Sequence, residues 1–263
     1  RDRKRGAIQF LYVAPERFEN TFFLNLLRKI KIPLIAFDEA HCISKWGHDF
    51  RPSYQSVIQK VFTLPQSFTI VALTATATAE VQQDIMSKLS IGQNDVVKTS
   101  TKRRNLIFKV NPTYQRQKFV VDYVANHEGQ AGIIYCSTRK QVEELHEALN
   151  SEKIKSTIYH AGLTNKERIE AQNDFLYDRV EVVIATNAFG MGIDKSNVRY
   201  VIHYNMPGDL ESYYQEAGRA GRDGLKSECI LLFSERDKGL HEYFITVSQA
   251  DDDYKVKLAE KLP

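Results

Sequence analysis

Cysteine is scarce in this sequence. Its three copies, Cys42, Cys136 and Cys229, lie far apart without a C-x-x-C spacing. That excludes a disulfide framework and gives no zinc site, and it fits a reducing cytoplasm. No apolar run approaches the ~20 residues of a membrane span, and no signal peptide is visible. Charge of neither sign dominates. The formal net charge of +3 is too small to argue for nucleic acid by itself, and the basic clusters at Arg1 to Arg5 and Lys102 to Arg104 read more readily as solvated faces. Short-period repeats and low-complexity segments are missing, and there is one tryptophan, Trp46. The chain starts at Arg1 without a methionine, which leads to the expectation of a fragment. What remains is an ordinary globular composition, 43% apolar and 26% charged, over 263 residues, enough for two domains.

Strand and helix patterns alternate along it. Ile8 to Val13 reads as a strand, Phe18 to Ile30 as a helix through Phe18, Phe22, Leu26 and Ile30, and Leu34 to Phe37 and Thr69 to Leu73 as strands, with a helix over Thr78 to Leu89. Thr99 to Asn105 has no apolar residue to bury and reads as a linker. Beyond it come strands at Ala131 to Cys136, Ser156 to Tyr159, Glu181 to Ala185, Arg199 to His203 and Glu228 to Phe233, with helices at Thr138 to Asn150 and Thr164 to Phe175. This alternation predicts two parallel α/β sheets joined by a short linker. From Glu235 onward the sequence turns to a polar helix and the acidic run Asp251 to Asp253.

Chemistry gathers where strands end. Leu34-Ile-Ala-Phe-Asp-Glu-Ala-His41 is an apolar strand running into Asp38, Glu39 and His41. In open α/β sheets ligands sit at the carboxyl ends of strands, where one carboxylate can hold a magnesium ion through its water shell while its neighbour orients an attacking water. A solvated turn after a core strand is the plain alternative. Thr74 to Thr78 can cap a helix and can also hydrogen-bond the carboxylates of the first cluster. His160 follows a strand into a tight turn, where a lone histidine is more often structural. Gly190 and Gly192 let backbone approach another chain or a phosphate. In Tyr213 to Arg222 the spacing sets Arg219 and Arg222 on one helical face beside Gly218 and Gly221. Glycine costs ~1 kcal/mol inside a helix, so two of them need a reason, either close approach to a polyphosphate matched by the guanidinium forks or close helix packing.

The order of these signals, with the run Asp38 to Pro52 (Asp-Glu-Ala-His-Cys-Ile-Ser-Lys-Trp-Gly-His-Asp-Phe-Arg-Pro), Tyr12 to Phe18, Ala72 to Thr76, Gly132 to Ser137, Tyr159 to Leu163, Ala185 to Lys195 and Ser212 to Gly224, resembles the RecQ family of DNA helicases over nearly the whole chain. The resemblance implies two RecA-like domains with parallel sheets flanked by helices. Residues 1–101 would be the C-terminal part of the first, incomplete at its N-terminus, residues 102–235 the second, and residues 236–263 the helical start of a following region. It implies ATP hydrolysis with magnesium between the two domains, 3′ to 5′ translocation on single-stranded DNA, and duplex unwinding in repair and recombination. Asp38 would serve magnesium, Glu39 the hydrolytic water, and His41 the link from nucleotide to DNA. Thr74 and Thr76 would couple the domains. Trp46, His48, Phe50 and Arg51 match an aromatic-rich loop that senses single-stranded DNA, consistent with base stacking worth ~1–3 kcal/mol per base. A core anchor remains the other reading of Trp46. Arg139, His160 and Thr186 match segments that track the DNA backbone. Gly192 and Asp194 match the nucleotide side, Asp194 near the ribose. Gln215, Arg219 and Arg222 match the last helicase motif, with Arg222 in the place of the arginine finger.

Two departures stand out. No G-x-x-x-x-G-K-[ST] phosphate loop occurs, and the family's four-cysteine zinc module is absent, so zinc is expected in a longer parent only, with no ligands here. Arg104 also replaces the proline common in the family's Arg-Pro-Asn sequence. The expected partners are single-stranded and partly duplex DNA, with no membrane, in the cytoplasm or in a nucleus. Another superfamily 2 motor such as an RNA helicase, and a non-enzymatic nucleic-acid-binding protein, are the alternatives.

Overall fold

The computed structural model describes residues 9–45, 51–75, 77–99, 102–190, 193–235 and 237. They form two compact units, 1–101 and 102–263.

In the first unit a short 3-10 helix, Pro15–Glu19, leads to α1 (Thr21–Leu27), β1 (Leu34–Phe37), a 3-10 turn at Ala40–Ile43, α2 (Pro52–Phe62), β2 (Thr69–Ala72) and α3 (Ala79–Leu89). β1 and β2 pair in parallel from Leu34 opposite Thr69 to Phe37 opposite Ala72. Phe23, Leu27, Phe37, Ile43, Val61 and Ile85 are among the side chains that fill the core beneath them. α3 begins where Thr78 caps it, its hydroxyl accepting from the Val81 N–H at 3.3 Å.

Two expectations fail here. Residues 9–13, the described part of the strand expected at Ile8 to Val13, form no strand, and Phe10 and Tyr12 are exposed. A β-rich pattern supplies side chains but no ladder, and these residues have no strand partner among the described residues. The helix expected over Phe18 to Ile30 is broken at Asn20, whose Oδ1 caps α1 by accepting from Phe23 N at 3.0 Å. That restart shifts the buried stripe by one residue, to Phe23 and Leu27, and leaves Phe22, Leu26 and Ile30 exposed. α2 was unexpected, although Pro52 at its first turn and the buried Val57, Ile58 and Val61 carry the helical period.

The second unit contains β3 (Leu106–Pro112), α4 (Arg116–Ala125), β4 (Ala131–Tyr135), α5 (Arg139–Ser151), β5 (Ser156–Tyr159), α6 (Asn165–Leu176), β6 (Val182–Ala185), β7 (Val198–His203), α7 (Leu210–Ala217) and β8 (Ser227–Phe233). The strands form one sheet in the order β3-β8-β7-β4-β6-β5. Every pairing is parallel. β4 and β6 are buried along their whole length, as strands covered on both faces must be. Alternate side chains divide between two cores. Ile133, Val183 and Val201 pack with Phe175 and Ala217 of α6 and α7, while Ile134, Ile184 and Ile202 pack with Val120, Val142 and Leu145 of α4 and α5. β3 and α4 were not foreseen. β3 carries a largely exposed pattern and α4 only two buried residues, Val120 and Val124, so neither has a strong apolar period.

Candidate functional site

In the first unit Asp38 and Glu39 stand at the carboxyl end of β1. Glu39 has φ 47 and ψ 46, the left-handed region. For a residue with a Cβ this costs ~1–3 kcal/mol and points to function when the surroundings enforce it. The surroundings do so. Leu73 N donates to Phe37 O and Ala40 N to Leu73 O, both at 2.8 Å, carrying the β1–β2 ladder past the strands. Asp38 Oδ1 accepts from Glu39 N at 2.9 Å, and the Tyr54 hydroxyl donates to the Asp38 carbonyl at 3.1 Å. Burial pushes the Tyr54 hydroxyl above its ordinary value, so it stays a donor. The kinked turn sends neighbouring side chains apart. The Glu39 side chain is 54% exposed and that of His41 only 4%. His41 Nδ1 lies 3.3 Å from Glu39 Oε2 and 3.2 Å from Thr74 Oγ1. Glu39, His41 and Thr74 therefore form one contact chain from the end of β1 to the end of β2. The hydroxyl of Thr74 meets the histidine.

The donors suit magnesium, since exposed carboxylate oxygens at a strand end match a hard cation that keeps most of its water. Among the described residues no group of three or more His, Cys, Asp or Glu is placed to hold a metal, so the fit is to an ion bound by one or two carboxylates. Arg51 precedes α2 with its N–H donating to Cys42 O at 3.0 Å. Trp46, His48, Phe50 and Thr76 lie outside the described residues.

Because the second sheet is wholly parallel, its carboxyl ends share one edge. Arg139, His160 and Thr186 follow β4, β5 and β6, three adjacent strands. Thr138 caps α5 by accepting from Gln141 N at 3.2 Å and leaves Arg139 exposed. His160 is buried; its Nδ1 accepts from Gly162 N at 3.2 Å, and its Nε2 lies 3.5 Å from Glu143. A Cβ on Gly162 would come within 3.1 Å of Arg139 Nη1, so the arginine lies against the His160 turn. Thr186 N donates to Tyr159 O at 3.1 Å, tying the β6 end to the β5 end. A groove of about 620 Å³ lined in part by Arg116, Lys118, Asp122 and Glu152 contains none of the predicted site residues.

The two arginines of the last motif are not on a helix. α7 ends at Ala217, and the chain turns through Gly221 (φ 56) and Gly224 (φ 84). Gln215 sits half-buried on α7. The glycines answer to packing. A Cβ on Gly221 would lie 2.5 Å from Asn105 Nδ2 and 2.7 Å from Ser227 Oγ. Gly190, at φ 135, makes room for Arg219, whose Cζ would be 2.3 Å from a Cβ there and whose Nη1 donates to Gly190 O at 2.5 Å. Arg222 Nη1 donates to Ile193 O at 3.1 Å and to Asp194 Oδ1 at 2.9 Å. That pair is open to water, 37% for Arg222 and 88% for Asp194. Gly192 lies outside the described residues.

The expected linker also ends earlier than Asn105. Arg103 donates to the carbonyls of Gly218, Ala220 and Gly221 at 3.2, 3.0 and 2.6 Å. Asn105 donates to those of Gly221 and Leu225 at 2.8 and 2.9 Å. An apolar count misses such residues, because what orders them is a turn full of carbonyls that need donors. No local pattern announces the pairing of buried His203 with the part-buried Glu216, 2.8 Å apart.

Two family models match, "DEAD/DEAH box helicase" over residues 1–85 and "Helicase conserved C-terminal domain" over residues 115–224. The ATP-dependent DNA helicase RecQ of Bacillus subtilis is 47% identical over 255 residues, covering 97% of this chain and 43% of the relative. That of Haemophilus influenzae is 43% identical over 88% of the chain and 37% of the relative. The chain belongs to the RecQ family of helicases. It spans less than half the length of these RecQ relatives. A solved structure of Saccharomyces cerevisiae Dbp5 bound to RNA and ADP BeF3 superposes with a TM-score of 0.62 at 22% identity, over 84% of this chain and 61% of that one. That likeness shows the fold, so the RecQ core is built from RecA-like parallel α/β domains.

Proposed function

We propose that this chain is the motor core of an ATP-dependent DNA helicase that moves 3′ to 5′ on single-stranded DNA and unwinds duplexes in repair and recombination. The observation that carries this reading is the turn after β1, where a left-handed Glu39 exposes its carboxylate while His41 joins it to Thr74. Asp38 would hold a hydrated magnesium ion, which when bound neutralises phosphate charge. Glu39 orients the attacking water and accepts its proton. His41 and Thr74, with Thr76, relay the state of the nucleotide. Arg222 supplies positive charge to the transition state, and its partly exposed head and reversible partner Asp194 suit that task better than the packed Arg219. Gln215, Gly192 and Asp194 complete the nucleotide contacts. Arg139, His160 and Thr186 hold the DNA backbone, and Trp46, His48, Phe50 and Arg51 sense its bases. Zinc belongs to this reading only for a longer parent, and the compartment is wherever DNA is kept, cytoplasm or nucleus.

An RNA helicase is the second reading, because a mimivirus relative named a putative ATP-dependent RNA helicase is 39% identical over 256 residues. The test is ATP turnover by the full-length protein with single-stranded DNA, duplex DNA or RNA. The DNA reading expects the largest stimulation by single-stranded DNA, and preferential stimulation by RNA would replace it. The 263-residue chain alone, which carries no phosphate loop, is expected to show negligible turnover, since Asp38 and Arg222 cannot substitute for that loop's backbone donors and lysine.

A further inference from the structure

His203 ends β7 at 1% exposure. Its Nε2 lies 2.8 Å from Glu216 Oε2, whose side chain is 13% exposed. A carboxylate oxygen accepts, so the tautomer with its hydrogen on Nε2 satisfies this pair. The Tyr135 ring stacks on the imidazole at 5.4 Å, and Tyr213 meets it edge-on at 4.8 Å. The Tyr135 hydroxyl donates to Phe189 O at 3.1 Å and also meets the Arg219 guanidinium. Arg219 returns to the start, because its N–H donates to Glu216 O at 3.2 Å while its guanidinium holds Gly190 O. The circuit thus runs from His203 through Glu216 to Arg219, on to the Phe189–Gly190 turn, and back through Tyr135.

Two atoms of this circuit, His203 Nδ1 and Arg219 Nε, are buried without a hydrogen-bond partner among the described residues. Core packing selected for stability alone avoids that cost, and an apolar residue at position 203 would fill the space without it. Gly190 O also accepts from Ile193 N at 3.0 Å, next to Asp194, the partner of Arg222.

We propose that His203 is a positioning residue for Arg219, fixing its guanidinium against Gly190 through Glu216 and Tyr135. The proposal rests on the helicase reading. His203 touches neither nucleotide nor DNA; it acts on turnover only through Arg219.

The experiment uses the full-length protein with saturating single-stranded DNA, comparing it with His203→Phe, His203→Gln, Glu216→Gln, and His203→Phe combined with Arg219→Ala. His203→Phe keeps the ring and loses the donor, so kcat should fall ~30-fold while the KM for ATP and the Kd for DNA move less than ~2-fold. His203→Gln, whose amide can still donate to Glu216, should stay within ~3-fold of the parent, and Glu216→Gln should lower kcat in the same direction as His203→Phe. In the Arg219→Ala background His203→Phe should add less than ~2-fold, because both act on one element. Equal losses of melting temperature in the Phe and Gln variants with kcat per folded molecule unchanged would overturn the proposal. Fully multiplicative effects of His203→Phe and Arg219→Ala would overturn it too. A parent with no nucleic-acid-stimulated turnover would overturn both this proposal and the helicase reading, whereas the other two failures strike His203 alone.

Discussion

In the first unit the turn after β1 is held by a residue with a side chain forced into the left-handed region, Glu39 at φ 47, whereas the turn after β6 in the second unit uses Gly190 at φ 135. The difference follows from what must occupy the space. At Glu39 the Cβ leads to a carboxylate that faces solvent, and the backbone strain is offset by the ladder bonds on either side. At Gly190 the space belongs to the Arg219 guanidinium, and a Cβ would collide with it. One turn keeps a side chain at a conformational cost. The other gives up its side chain so that a distant residue can enter.

The largest test of this contrast is at the arginines. In the full-length protein Arg222→Ala should lower kcat by ~10³-fold with DNA affinity nearly unchanged, because a finger acts on transition-state charge. Near-normal kcat in that variant would reduce Arg222 and Asp194 to a surface ion pair.

Trp46→Ala should abolish most stimulation of hydrolysis by single-stranded DNA while the fold and ATP binding persist. A core tryptophan would instead cost ~3–5 kcal/mol of stability on truncation. A thermal melt and a DNA titration of ATPase activity on the same variant distinguish the two.

The two turns themselves should respond in opposite directions. Gly190→Ala is expected to destabilise by ~2–3 kcal/mol, combining a forbidden φ with overpacking against Arg219. Glu39→Gly should raise stability slightly, by less than ~1 kcal/mol, since relief of left-handed strain is partly cancelled by the added freedom of the unfolded chain. Turnover should disappear with it. Denaturant melts of both variants give the signs, and a destabilised Glu39→Gly would show that its backbone is not strained.

Legibility in the sequence followed the strength of local patterns. The buried strands β4, β6 and β7 stand out as short apolar runs, and Asp38, Glu39 and His41 stand out because charge directly after such a run needs a cleft. α3, α5 and α6 carry both a helical period and a Thr cap. By contrast β3 and α4 have few buried side chains. The spacing of Arg219 and Arg222 fits a helix, but the turn is set by Gly221 meeting Asn105, more than a hundred positions earlier in the chain.

The sequence by itself determined the alternation of strand and helix, the parallel sheets, the family and the identity of the charged groups at strand ends, because side-chain period and short motifs are local properties of the chain. Only the tertiary structure decided the left-handed turn at Glu39, the loss of helix beneath Arg219 and Arg222, the capture of Arg103 and Asn105 by a carbonyl-rich turn, and the His203 to Arg219 circuit. Each of these depends on partners far away along the chain, where hydrogen-bond donors find acceptors and a missing Cβ makes room for a side chain that no local window contains.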